Sequence, residues 1–138
     1  MHPSRSAPVG ALFLGLSVLF ASCHGGPKPP ESGPITYPPP TKKVGVTFYK
    51  DVLPITQVHC QGCHTPGGIG PFPLLTYDDA QRVARAMSTA VQARLMPPWL
   101  PAPSCQTFRD SRALTQDQVD TIYSWADDSA PAGDPADA

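Results

Sequence analysis

The sequence predicts a small all-α domain with long connecting loops, and three observations carry that expectation. Apolar residues recur at helical spacing in separate segments bounded by capping residues or prolines. No stretch alternates apolar and polar residues well enough to argue for a sheet. Nineteen prolines and 11 glycines among 138 residues put much of the remaining chain into extended or looped conformations. A chain of this length has room for one modest domain.

Residues 1–22 read as a targeting segment outside the fold. Arg5 gives a short positive start, and the uncharged run from Val9 to Phe20 is too short to span a bilayer as a permanent helix. Phe20-Ala21-Ser22-Cys23 looks like a bacterial lipobox, with Phe20 where leucine is usual. On that reading the signal peptide is of lipoprotein type and Cys23 becomes the lipidated first residue. The alternative is an ordinary signal peptide cut nearby, with Cys23 incidental. Residues 24–43 hold seven prolines and few apolar groups, so they read as a polyproline-II tether reaching roughly 60 Å at ~3.1 Å per residue. The folded domain is expected over residues 44–138, opening with a short extended arm from Val44 to Tyr49.

Three helices are expected in that domain. The first takes Asp51 as N-cap, tolerates Pro54 in its first turn, and runs from Val52 to Cys60. The second starts after Thr76, carries Asp78 and Asp79 in its first turn, and stops at Pro97-Pro98. Val83, Met87, Val91 and Leu95 form its apolar stripe. The third opens on Thr115-Gln116-Asp117-Gln118, a capping-box pattern, and buries Val119, Ile122, Tyr123 and Ala126. Tyr123 and Trp125 read as packing residues.

Three helices in so short a stretch make a thin core, and the long connections at 65–75 and 98–114 add little to it. Cys60-Gln61-Gly62-Cys63-His64 suggests what completes it. This is the spacing of c-type haem attachment. Two cysteines three positions apart can each form a thioether to one haem, and the adjacent histidine projects onto the iron. Gly62 leaves the short loop without bulk at the porphyrin edge. A plate of that size gives loops and helices an apolar surface to pack on, and an exported chain meets the requirement that attachment occur outside the cytoplasm. The expected cofactor is therefore one covalent haem c, with Cys60 and Cys63 as thioethers and His64 as proximal iron ligand. The alternatives are a thioredoxin-like pair, a zinc site recruiting His59, and a disulfide between the two cysteines. A thioredoxin pair normally opens a helix after a strand, whereas here a helix leads into the motif. No second pair of zinc ligands has suitable spacing.

The other histidines are poorly placed for the far side of the iron. His2 is removed, His24 lies in the tether, and His59 is too near the motif. Methionine remains. Met96 is favoured as distal ligand because Pro97 and Pro98 stiffen the backbone there and Trp99 can pack on the haem. Met87 is the runner-up, with core packing as its plainer role, and an open sixth site is the third possibility. Arg82, Arg85 and Arg94 are candidates to neutralise haem propionates or are simply a solvated face. The Pro71 carbonyl is a candidate partner for the second nitrogen of His64. Cys105 has no partner and reads as a buried free thiol, or remotely as a thiolate iron ligand.

Charge is nearly balanced over the chain, ten basic against eleven acidic residues, and from Val44 onward it is six against ten. That excludes a basic footprint for nucleic acid. The expected function is one-electron transfer in the bacterial cell envelope, not catalysis. The chain would be tethered to the periplasmic side of a membrane and meet redox protein partners. A gas sensor or oxidoreductase subunit with an open sixth site is the alternative, and a non-haem structural lipoprotein the remaining one.

Asp51-Val52-Leu53-Pro54-Ile55, the cysteine motif, Gly70-Pro71-Phe72-Pro73-Leu74-Leu75-Thr76-Tyr77, Met96-Pro97-Pro98-Trp99, Leu114-Thr115 and Ala130-Pro131-Ala132-Gly133-Asp134-Pro135 occur in that order. In this the chain resembles a group of bacterial monohaem cytochrome c-like domains, from Asp51 to about Pro135. The resemblance implies a small helical fold packed around one haem. In that group the domain often precedes a copper type II, ascorbate-dependent monooxygenase-like region. This sequence ends at Ala138, so any monooxygenase role is expected of a separate partner.

Overall fold

The computed structural model describes residues 36–99 and 108–138. In it the chain forms four α-helices and, among the described residues, no strand: α1 (Leu53–His59), α2 (Tyr77–Arg82), α3 (Ala84–Gln92) and α4 (Gln116–Asp127). A π-helical turn, Phe48–Val52, leads into α1, and a 3-10 turn, Pro135–Asp137, ends the chain. The signal peptide, Cys23, most of the tether and Cys105 lie outside the described residues. No described helix is long and apolar enough to cross a membrane.

Local chemistry accounts for two of the four helix starts among the described residues. Thr76 caps α2: its hydroxyl accepts from Asp79 N–H, and the Asp79 carboxylate accepts from Thr76 N–H. Thr115 and Gln118 form the same reciprocal pair at α4. At α1 the expected cap is corrected. Asp51 lies inside the π turn, and its carboxylate accepts from Thr47 N–H at 2.8 Å, so helical winding begins upstream of it. Val52 stands at the N-cap of α1 without a side-chain bond, and Pro54 falls in the first turn. The extended arm expected from Val44 to Tyr49 is corrected as well: the chain bends at Val44-Gly45, where Gly45 has a left-handed φ of 70°, and Phe48 opens the π turn.

The second expected helix is two helices. Val83 leaves helical geometry (φ −116°, ψ 12°) and separates α2 from α3. Then α3 ends at Gln92, short of the prolines. Arg94 adopts a left-handed φ of 56°, Leu95 N–H bonds Ala90 O at 2.9 Å, and Arg94 N–H bonds Val91 O at 3.1 Å. That is a Schellman closure made without glycine. Its consequence is that Leu95 leaves the stripe: Met87 and Val91 are buried, whereas Leu95 is 67% exposed.

The core is built around Trp125, Phe48, Ile122, Val52 and Val119, all nearly inaccessible. Phe48 packs at 5.8 Å from Trp125 and 5.6 Å from Tyr77. The segment after α4 closes this cluster. Phe48 N–H and Tyr49 N–H donate to Pro131 and Ala132 carbonyls, Trp125 Nε1–H donates to Pro131 O, and Tyr77 Oη–H donates to Ala130 O. Gly133, at φ 77°, lies against Thr47, where a Cβ would come within 2.6 Å of the Thr47 side chain. The described residues belong to one compact unit, so residues 36–43, ahead of Val44, are already part of the body. Thr41 N–H donates to Asp120 Oδ1 and Lys43 N–H to Ser124 Oγ, laying this strap along α4.

Candidate functional site

Helix α1 delivers the cysteine motif. Cys60 and Gln61 N–H both bond Thr56 O, and Cys63 and His64 N–H both bond Cys60 O at 3.1 and 2.9 Å. One tight turn thus carries both thiols and the imidazole. Nothing of the protein lies within 4 Å of a Cβ at Gly62. The following loop folds back on the motif: Gly70 N–H donates to Cys63 O, Leu74 N–H to His64 O, and Gln61 Nε2–H to Leu74 O. The fold-back needs glycine. A Cβ on Gly68 would clash with Cys63 O, and one on Gly70 would stand 2.8 Å from His64 Nδ1.

His64 Nδ1 lies 2.9 Å from Phe72 O. A carbonyl can only accept, so Nδ1 is the donor of this bond, and Nε2 is the ring nitrogen turned away from it. The Phe72 ring, 4.8 Å from the imidazole, braces the same orientation. The acceptor is one residue beyond the Pro71 carbonyl expected from sequence. His59 is committed elsewhere, with Nδ1 at 3.3 Å from Arg112 O and Nε2 at 3.2 Å from Gln118 Nε2. Burial, then the neighbouring Cys63, pushes the Cys60 thiol up to about 11. A dithiol redox pair needs the opposite shift to generate its thiolate. Among the described residues, no three His, Cys, Asp or Glu side chains gather as a zinc site requires.

The two candidate methionines are in different settings. Met87 is 8% exposed inside the core, whereas Met96 is 43% exposed on the turn after α3, joined to Pro97 by a cis peptide. Met96 lines a shallow cavity with Tyr37, Arg94, Pro97, Trp99, Ala113 and Leu114. Residues 112–114 link this cavity to the motif, because Arg112 Nη1 reaches Cys63 Sγ at 3.8 Å. Trp99 packs edge-on against Phe108 at 5.7 Å. Of the three arginines considered for propionates, Arg82 bonds Asp78 O and Arg94 bonds Leu114 O and Gln116 Oε1. Phe72 stands in the Gly70–Tyr77 run that carries the family resemblance, but without an assigned role, and Arg112, which reaches the motif from a loop, has no sequence signal.

The residues that could hold a covalent haem are two thiols on one turn and an imidazole tied to the chain through Nδ1. Val58 (76%), Ile69 (89%), Phe72 (40%), Leu75 (41%) and Met96 (43%) are exposed on the segments around the motif and the Met96 turn. No protein-family model, curated protein or solved structure matches the chain.

Proposed function

We propose that the chain is a monohaem c-type cytochrome that carries single electrons in the bacterial cell envelope. The observation that carries the reading is the turn Cys60–His64 with Nδ1 of His64 held on Phe72 O, which leaves Nε2 for iron. Cys60 and Cys63 would hold the haem covalently, and His64 and Met96 would ligate its iron. When bound, the haem supplies a one-electron couple. The chain's own residues orient the imidazole, through Phe72 O and the Phe72 ring, and place Met96 on a turn tied down by Arg94. Export and lipidation of Cys23 belong to the same proposal, as do redox protein partners. So does the kinship with cytochrome c-like domains that accompany copper monooxygenase-like regions.

Carbon monoxide binding by the reduced protein tests the carrier reading. A site closed by Met96 resists the gas at concentrations that saturate a five-coordinate haem. Ready binding by the wild-type protein would instead mark a sensor or an oxidoreductase subunit.

A further inference from the structure

We propose that residues 37–43, the end of the proline-rich segment, act as a clamp that holds the Met96 turn closed. The inference rests on Met96 being the sixth iron ligand. The Tyr37 ring covers the Arg94 guanidinium, with Arg94 Cζ 4.4 Å from the ring centroid. Arg94 is the left-handed residue that ends α3, two positions before Met96. Its Nη1–H donates to Leu114 O at 2.8 Å and its Nη2–H to Gln116 Oε1 at 2.5 Å, so one guanidinium pins the Met96 turn to the start of α4. Its Nε is buried without a partner, which leaves the Tyr37 face and two hydrogen bonds to compensate the cation.

Tyr37 is itself held from the other end. Thr41 N–H on Asp120 Oδ1 and Lys43 N–H on Ser124 Oγ fix the strap along α4. Lys42 Nζ reaches both Asp127 and Asp128, and Lys43 Nζ reaches Asp117 and Thr121 Oγ1. Strap, α4 and Met96 turn therefore share one set of contacts. Tyr37 and Met96 also line the same cavity. A segment expected to be only a spacer thereby acts on an iron ligand, as a positioning element that does not touch the iron.

Imidazole competition on the ferric, haem-loaded full chain tests this. Exogenous imidazole takes the sixth position only when the Met96 turn opens, so its apparent affinity scales with the open fraction. Loss of one cation–π contact is expected to tighten imidazole binding roughly three- to tenfold in Tyr37→Ala. Tyr37→Phe, which keeps the ring, should restore wild-type affinity, and Val44→Ala, on an exposed side chain just beyond the clamp, should not change it. Should Tyr37→Ala fail to fold, Tyr37→Leu gives the same comparison, because it keeps apolar bulk without the ring face. Affinities within twofold of wild type, in a protein that shows the weak red band of methionine–iron ligation, would overturn the clamp alone. Absence of that band from the wild-type protein would overturn the ligand reading and the clamp with it.

Discussion

Met87→Ala and Met96→Ala should have opposite phenotypes, because one side chain is in the core and the other on a turn. Met87 is 8% exposed and sits on the buried face of α3 with Ala84, Ser88 and Val91. Its truncation loses the transfer free energy of a buried methionine, about 1.5–3 kcal/mol, and adds a cavity that fixed neighbours fill only in part. The sum is about 2–5 kcal/mol, a large share of a small domain's stability. Met96 is 43% exposed, so its truncation should cost under about 1 kcal/mol through packing. Urea unfolding of the haem-loaded protein, followed by far-UV circular dichroism, reads the first effect, and the ferric absorption spectrum reads the second. Met87→Ala should lower the midpoint and keep the weak red methionine band. Met96→Ala should keep most of the stability, lose the band, lower the redox potential and admit carbon monoxide. Reversed phenotypes would refute the reasoning by making Met87 the ligand, and unchanged spectra in both would leave neither methionine on the iron.

Two other perturbations follow from the same structure. Gly70→Ala places a Cβ 2.8 Å from His64 Nδ1 and 2.9 Å from Cys63 O. It should cost about 1–3 kcal/mol in urea unfolding and disturb the low-spin spectrum, and a neutral result would mean the loop does not brace His64. Asp79 has its carboxyl held below the usual range, first by the Thr76 side chain and then by backbone N–H groups of Thr76 and Leu75. Its stabilisation is therefore complete above the unfolded carboxylate value, about 3.9, and is lost as pH falls through the lower folded value. Asp79→Asn should flatten that part of the stability–pH curve relative to wild type, and superimposable curves would contradict the assignment.

What could be read from the sequence was local. Thr76 and Thr115 announce their helices because a cap needs only residues within one turn. The cysteine motif is equally self-contained. The break at Val83 and the early end of α3 are not local in this sense. Arg94 takes the left-handed position usually given to glycine because Leu114, Gln116 and Tyr37 hold its guanidinium. No pattern around residue 94 encodes that. The stripe through Leu95 failed for the same reason. The Pro71 carbonyl is expected as partner of His64, and the Phe72 carbonyl takes its place through a one-residue register in a loop, set by Gly70 and Leu74 bonding back to the motif. The docking of residues 37–43 on α4 was hidden by proline content, since a polar, proline-rich run reads as spacer until Asp120 and Ser124 are seen to accept its N–H groups.

Covalent haem is the claim on which the rest depends, and its most direct measurement is the intact mass of the chain. The protein should be expressed with export and haem-attachment machinery, denatured, and extracted with acid acetone before weighing. The account predicts a chain that stays red and is heavier by one haem, with attachment weakened by Cys60→Ala or Cys63→Ala and the low-spin spectrum lost in His64→Ala. A colourless chain that carries no haem mass, with Cys60 and Cys63 both free to alkylation, would contradict it.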